Sequence, residues 1–253
     1  MSRRNAPALV LLAALAATVL APGATASAMH PGDAPVVRSA AVGPGTAVLL
    51  RTGPTVLTAE VDVADDVAVE QVLASLHRDR DRADGSTGVP WAQSISLGRF
   101  TRVPGTSTWR ARAYVDQDTP TGRYRLRVVA FDVDGGAGDA DGLAPTYLKR
   151  NTRMPAFDAG RGPVAQGDPL TVGGRLTRLS PRHGYVGYVG KAVDVWFRPV
   201  GGAWSLVGRA STGADGRWTH AFRATVDGTW QARFAGTSHH HAQASGTDAV
   251  DVR

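Results

Sequence analysis

The segment Gly122-Arg-Tyr-Arg-Leu-Arg-Val-Val-Ala130 alternates between arginines and apolar side chains, and Gly228-Thr-Trp-Gln-Ala-Arg-Phe234 repeats its pattern. In both, a glycine stands two positions before the aromatic residue that starts the alternating run. Because side chains alternate across a pleated strand, we expect the arginines to face solvent and the apolar residues to pack inward. The glycines stand 106 residues apart, at positions 122 and 228, and a small β-sandwich domain has about 100 residues. The repeat therefore predicts two copies of one small β-sandwich.

Other segments show the same alternation between turn-forming residues. The further predicted strands cover residues 55–63, 69–77, 91–100, 109–115, 170–176, 193–197, 204–209, 218–222 and 250–252. Asp215-Gly216 predicts a hairpin turn between two of them. We find no helical periodicity after residue 28. Closely spaced strands with Gly, Pro and Asp turns are typical of sandwiches, so the predicted fold class is all-β, with two tandem antiparallel immunoglobulin-like β-sandwiches after a signal peptide.

The first 28 residues have the features of a signal peptide. Arg3 and Arg4 precede an apolar run at residues 8–21, and Ala26-Ser-Ala28 has the small-x-small pattern of a cleavage site. The run is shorter than the roughly 20 residues that a membrane-spanning helix needs. The sequence thus predicts a signal peptide at 1–28 and a secreted protein with no membrane span in its mature form.

The rest of the chain is predicted to form a leader and two domains. Residues 29–45 are rich in Pro, Gly and Ala and are predicted to be a flexible leader, with order beginning at Thr46. The domains are expected at 46–153 and 154–253. The chain contains no cysteine, which excludes disulfides, thiol catalysis and thiolate metal sites. Each domain must therefore be stabilised by its own hydrophobic core.

Charge distinguishes the two predicted domains. Residues 151–253 contain 12 basic and seven acidic residues, whereas residues 46–150 contain 13 basic and 14 acidic ones. Arginine and aspartate supply nearly all of this charge, a bias that GC-rich codon usage also produces. The basic balance is weak evidence for nucleic acid, which we do not expect as a partner. A secreted basic protein is better suited to anionic cell-wall polymers.

The second half also carries a resemblance to a known group of proteins. The segments that carry it are Phe157-Asp-Ala-Gly-Arg-Gly-Pro-Val164, Leu170-Thr-Val-Gly-Gly-Arg-Leu-Thr177, Tyr188-Val-Gly-Lys191, Phe197-Arg-Pro199 and Trp230 to Ser238. Residues 157–253 resemble the carboxy-terminal immunoglobulin-like domain of secreted actinobacterial proteins. The resemblance implies an immunoglobulin-like fold and secretion. It implies no particular activity.

One acidic segment is a candidate calcium site. Asp132, Asp134, Asp139 and Asp141 lie within ten residues. If strands 55–63 and 69–77 are the second and third of their sandwich, the loop between them, with Asp65 and Asp66, lies at the same end. Together these six carboxylates could contribute to the about six to eight oxygens that Ca²⁺ takes. The alternative is a solvated turn, because Asp and Gly are common turn formers.

Two further clusters stand in the second half. His239-His240-His241 contains a common metal ligand three times, but only His239 and His241 share a face of an extended chain, and a polar loop is the better interpretation. Tyr185 and Tyr188 lie on a glycine-rich connection and could stack on sugars or contact a partner. Packing at an edge strand is the alternative for both tyrosines.

The sequence therefore favours a secreted, non-enzymatic binding or structural protein that contacts an anionic cell-envelope polymer, a polysaccharide or an extracellular protein. A calcium-dependent module with the Asp cluster in the first domain is the alternative. A secreted hydrolase is a distant third, because the sequence contains neither a Gly-x-Ser-x-Gly nucleophile elbow nor a phosphate-binding glycine loop. Ca²⁺ is the one cofactor that we consider.

Overall fold

The computed structural model describes residues 33–79, 94–160 and 162–253, and all regular structure within them is β-strand. None of these residues belongs to a helix that could cross a membrane. Two hydrophobic cores divide the chain into a first unit, residues 33–150, and a second unit, residues 154–253. The signal peptide predicted at 1–28 lies outside the described residues. Independent folding of the predicted domains 46–153 and 154–253 stays a prediction.

The first unit is a sandwich of two sheets. Its strands are β1 (Val36–Gly43), β2 (Thr46–Leu49), β3 (Thr55–Ala64), β4 (Val69–Arg78), β5 (Ser94–Ser96), β6 (Thr101–Arg102), β7 (Thr108–Val115), β8 (Gly122–Asp132) and β9 (Ala137–Arg150). One sheet has the order β1-β3-β7-β6 and the other β2-β9-β8-β4-β5. All neighbours are antiparallel except β2 and β9, which run parallel. This is the strand order of an immunoglobulin-like sandwich.

The second unit has the same arrangement with one insertion. Its strands are β10 (Thr152–Arg153), β11 (Pro169–Arg175), β12 (Thr177–Ser180), β13 (Gly184–Gly187), β14 (Ala192–Pro199), β15 (Ser205–Ser211), β16 (Arg217–Arg223), β17 (Gly228–Phe234) and β18 (Gln243–Val250). The sheet β15-β14-β17-β18 packs against the pair β11-β16, and β10-β12-β13 forms a small third sheet. The hairpin β12-β13 is the insertion, because β11 and β14 correspond to β3 and β4.

The repeated glycine-x-aromatic motif starts the corresponding strand of each unit, β8 and β17. Gly122 has a φ of +141°, in a region that side chains with a Cβ rarely adopt. Gly228 is needed for space, because a Cβ there would overlap the ring of Phe197. Tyr124 donates a hydrogen bond of 2.7 Å to the Pro120 carbonyl, which is the tyrosine corner of this fold. In β8 every second residue from Gly122 to Asp132 is buried, as predicted.

Strand β1 corrects the prediction of a flexible leader at 29–45. It pairs with β3 from Val36 to Gly43, so order begins well before Thr46. The segment has few large apolar residues, and its position depends on backbone hydrogen bonds to β3 rather than on a strong pattern of its own. Of the strand predicted at 91–100, the described part contains only Ser94–Ser96.

The turn at Asp215-Gly216 also differs from its prediction. Gly216 has the positive φ expected at such a turn, +80°. However, β15 pairs with β14 and β16 pairs with β11, so the turn joins the two sheets and does not close a hairpin. A residue outside the turn holds it in position, since the Leu176 amide donates a backbone hydrogen bond of 2.8 Å to the Gly216 carbonyl.

The connection between the units runs from the end of β9 at Arg150 through Asn151 into the short strand β10. Its last residues, β10, were predicted to belong to the first domain, yet they pair with β12 of the second unit. Asn151 donates a backbone hydrogen bond to Leu49 of the first unit and accepts one from Leu179 of the second. Arg150 forms a parallel bridge to His240. The connection is therefore hydrogen-bonded to both units.

Candidate functional site

The structure brings two of the predicted acidic residues together. The loop after β3 and the turn after β8 lie at the same end of the first unit, where the Val133 amide donates to the Ala68 carbonyl at 3.1 Å. Burial raises the pKa of Asp65, and a hydrogen bond with the Asp66 side chain and the charge of Asp132 add to this effect. Asp65 Oδ2 is buried and has no hydrogen-bond partner among the described residues.

Asp132 holds the turn between β8 and β9. Its side chain is buried, with 3% exposed, and Oδ1 accepts hydrogen bonds of 2.8 Å from the amides of Asp134 and Gly136. The side chain of Asp134 is exposed. Asp132 therefore acts as a local cap of the hairpin, which is a common use of aspartate in turns.

Asp139 and Asp141 lie on a strand rather than on the predicted loop, because the turn ends early and β9 begins at Ala137. Arg127 of β8 donates two hydrogen bonds to Asp139, at 2.7 and 3.3 Å. This contact lowers the pKa of Asp139. Across the described part of the chain, no group of three or more His, Asp or Glu side chains is arranged to hold a metal ion. The calcium site stays a prediction. The loop after β3 and the turn after β8 would supply Asp65, Asp66 and Asp132 to it.

The predicted tyrosines pack at the connection between the units. Tyr185 on β13 accepts a hydrogen bond of 3.0 Å from Asn151, and the Arg153 guanidinium lies 3.9 Å from the centre of its ring. Tyr188 is 8% exposed and belongs to the core of the second unit. The Arg153 guanidinium covers one face of the Tyr185 ring and Tyr188 is mostly buried, and a binding role for either tyrosine stays a prediction.

The histidine cluster lies beside these tyrosines. His239 Nδ1 is 3.2 Å from Thr121 Oγ1 of the first unit, and His240 Nδ1 is 3.1 Å from the Tyr188 hydroxyl. Burial, followed by the charges of Arg178 and Arg150, lowers the pKa of His240 to about 4. His239 and His240 therefore contribute to the contact between the units, and the expected non-metal role of the cluster stays a prediction.

A site that the sequence analysis missed lies on the outer face of the sheet β15-β14-β17-β18. Two arginines and two tryptophans alternate across it, and we call Trp196, Arg198, Trp204 and Arg233 the Arg–Trp ladder. The Arg233 guanidinium carbon lies 4.3 Å from the centre of the Trp196 ring and 5.6 Å from that of Trp204. The Arg198 carbon lies 5.0 Å from the centre of the Trp204 ring. Each cation is thus held over an aromatic face.

Strand register explains how the ladder forms. Trp196 and Arg198 are two residues apart on β14 and face the same side, while their cross-strand partners on β17 are Gln231 and Thr229. Arg233 is two residues beyond Gln231 and donates a hydrogen bond of 2.8 Å to its side chain. The signal in the sequence was the placement of Asp194, Trp196 and Arg198 at every second position of one strand. The positions of Trp204 and Arg233 depend on pairing between strands.

Within the described residues, Asp194 is the cross-strand partner of Arg233, so a carboxylate lies beside one charge of the ladder. Arg198 and Arg233 form no ion pair there, whereas Arg209 on the same face pairs with Asp194 at 2.6 Å. An arginine stacked on a ring keeps its edge N–H groups available, and these donate in pairs to phosphate or carboxylate oxygens. The face can therefore bind an anion without first breaking an ion pair.

One pair of residues has the elements of nucleophilic catalysis. Ser75 Oγ lies 2.8 Å from His77 Nε2 on β4. The cross-strand neighbours of these residues on β8 are Arg127 and Arg125. The pair is a serine and a base in contact, but a serine hydrolase also needs donors for the oxyanion and an oriented base.

No known protein family and no curated protein matches this sequence. Solved structures with some similarity include a tetra-tandem repeat from the extending region of a large adhesion protein, at 16% identity, a TM-score of 0.26 and 84% coverage of this chain. Titin domains I67–I69 align at 12% identity, a TM-score of 0.36 and 86% coverage. Murine CEACAM1b aligns at 12% identity and a TM-score of 0.39, covering 85% of this chain and 99% of that one.

This chain spans 50% of the length of the adhesion-protein structure and 65% of the titin fragment. Such TM-scores carry no argument about function. The strand order, the tyrosine corner and the two cores establish the immunoglobulin-like fold without them.

Proposed function

We propose that this protein is a non-enzymatic binding module, and that the Arg–Trp ladder of its second unit binds an anionic polymer of the cell envelope. The observation that supports the proposal is the pair of stacked cations, Arg198 and Arg233, neither of which is in an ion pair among the described residues. The net positive charge of residues 151–253 adds long-range attraction for such a polymer. Secretion, as predicted from the signal peptide, would bring the protein to its partner.

The ladder suits a repeating anion better than a single small ligand. It lies on an open sheet face with two guanidinium groups on neighbouring strands, so consecutive phosphate or carboxylate groups of one polymer can be contacted together. The tryptophan rings fix both guanidinium groups in advance, which reduces the entropy lost on binding.

The test is binding of the purified mature chain to isolated bacterial cell walls and to soluble poly(glycerol phosphate) at low and high salt. We expect salt to weaken binding, because screening acts on exposed charges. The double variant Arg198→Gln/Arg233→Gln should bind about 10- to 30-fold more weakly, since two charge-assisted contacts of ~1 kcal/mol each are lost.

The matched control is Arg217→Gln/Arg253→Gln. Both arginines are exposed in the second unit and pair with neighbouring aspartates, so the control removes the same net charge. Equal loss of binding in both double variants would show that net charge alone matters and would contradict a site at the ladder. No sedimentation of the wild-type protein with cell walls at low salt would reject the function itself.

A calcium-dependent module is the second candidate, supported by Asp65 Oδ2, which is buried near Asp132 and has no hydrogen-bond partner among the described residues. A bound cation would offset the repulsion between these carboxylates and stabilise the folded state by mass action. We expect a higher Tm in millimolar calcium than in chelator, and loss of this difference in Asp65→Asn. An unchanged wild-type Tm would remove this candidate.

A further inference from the structure

A second group of cations lies where the two units meet. Arg150 ends β9 and forms a parallel bridge to His240, with backbone hydrogen bonds of 2.9 Å to His239 and from His241. Thr152, two residues further along the chain at the start of β10, pairs with Arg178 of β12. Paired residues face the same side, and so do residues two apart on one strand. The side chains of Arg150, Arg178 and His240 therefore share one face of the connection.

Tyr188 brings a further cation to this face. Its ring centre lies 4.9 Å from Lys191 Nζ and 5.6 Å from the Arg178 guanidinium carbon. Its hydroxyl contacts His240 Nδ1 at 3.1 Å. When this hydroxyl donates to Nδ1, the neutral imidazole carries its proton on Nε2. We call Arg150, Arg178, Lys191 and His240 the junction cluster.

The junction cluster is only partly satisfied by the protein groups that the structure describes. Arg150 Nη1 donates to Thr121 Oγ1 at 3.4 Å, and the charge of Asp118 acts on Arg150 from beyond ion-pair distance. None of its three cations has a carboxylate within ion-pair distance in the described ranges. His240 is 9% exposed and its Nε2 is buried with no hydrogen-bond partner there, and Arg150 Nε is in the same situation. Buried donors nearly always have a partner in native proteins, so these two indicate a group that the chain itself does not supply.

We propose that the junction cluster binds a phosphate group, either inorganic phosphate or a phosphodiester of a polymer. A phosphate oxygen accepts from Arg150, Arg178 and His240 Nε2, while Lys191 contributes its charge. The ligand contacts residues of both units and so stabilises their relative position. The junction cluster is separate from the Arg–Trp ladder and does not depend on the proposed function of the ladder.

The test compares the Tm of the wild-type protein in phosphate and in chloride at equal ionic strength and pH 7, with a glycerol phosphodiester as a second arm. With ligand tenfold above Kd, we expect a rise of about 3 to 6 °C. Arg178→Gln and Arg150→Gln should lose this rise, whereas Arg217→Gln, an exposed arginine of the same unit, should retain it. A rise in either arm identifies the source of the phosphate. No rise in either arm, or the same rise in all variants, overturns the proposal.

A second measurement does not depend on the stability of the variants. The Nε2 resonance of His240 in the wild-type protein should shift during a titration with inorganic phosphate or the phosphodiester and reach saturation. A resonance that does not move with either ligand overturns the proposal. The variant Arg198→Gln/Arg233→Gln should show the same shift as wild type, which separates this site from the ladder.

Discussion

His240 shows how the connection between the units affects a single residue. It is packed beneath the Tyr188 ring, at 4.6 Å between ring centres, and faces Arg178 on β12, Arg150 at the end of β9, Lys191 before β14 and His239 on its own segment. Burial and these charges disfavour the imidazolium form. Its pKa is therefore about 4 in the folded chain, against 6.5 for an ordinary histidine.

This lowered pKa makes the stability of the protein depend on pH. Between pH 6.5 and about 4 the unfolded chain takes up a proton at His240 that the folded chain does not. The contribution of His240 to the free energy of unfolding is thus at its full value above pH 6.5, and it decreases as the pH falls towards 4. The decrease from this one group is on the order of 3 kcal/mol.

We expect His240→Asn to flatten the pH dependence of the free energy of unfolding, measured by urea denaturation at several pH values in a phosphate-free buffer. His183→Gln, at an exposed histidine of the same unit, should keep the wild-type slope. If His240→Asn also keeps that slope, another group is responsible for the acid sensitivity.

At the scale of elements, Asp132 makes a testable contribution to the hairpin of β8 and β9. Asp132→Ala removes the acceptor of two amide hydrogen bonds and leaves both amides without this partner. We expect a loss of about 1 to 3 kcal/mol in the free energy of unfolding. Asp134→Ala, at an exposed position of the same turn, should change it by less than about 0.5 kcal/mol. Equal effects would mean that Asp132 does not cap the turn.

The elements differ in how well the sequence predicts them. Strands such as β8 and β17 are predicted because one of their faces is buried, which requires strict alternation. Strand β1 is missed because backbone pairing with β3 holds it, and such pairing leaves little trace in side-chain type. The hairpin β12-β13 is missed because its glycines suggest a loop.

The candidate sites also differ in how well the sequence predicts them. The approach of Asp65 to Asp132 follows from the order of the strands and was predicted. The Arg–Trp ladder was not, because Arg233 reaches Trp196 only in the observed register of β14 and β17. The junction cluster depends on a bridge between Arg150 and His240, which no local pattern indicates.

For the whole molecule, the connection determines how stable the second unit is when it is separated from the first. A chain that starts at residue 154 lacks β10, so the edge of β12 is unpaired and the stacking of Arg153 on Tyr185 is lost. We expect it to be less stable by about 2 kcal/mol, or to melt about 10 °C lower, than a chain that starts at residue 150.

Thermal unfolding of these two fragments, followed by circular dichroism, measures the difference. The fragment that starts at residue 150 serves as the control, because it keeps β10 and the bridge from Arg150 to His240. Identical melting temperatures would mean that the predicted boundary at 153 and 154 separates independent domains and that β10 adds nothing to the second unit.

The parallel pairing of β2 with β9 has a mechanical consequence. Tension along the chain pulls on the start of β2 and on the end of β9, which lie at opposite ends of the paired segment. The hydrogen bonds between residues 46–49 and residues 147–150 are then loaded together in shear and do not break one after another. The connection after β9 is itself hydrogen-bonded to the second unit. Force applied to the first unit is therefore transmitted through a hydrogen-bonded segment and not through a flexible linker.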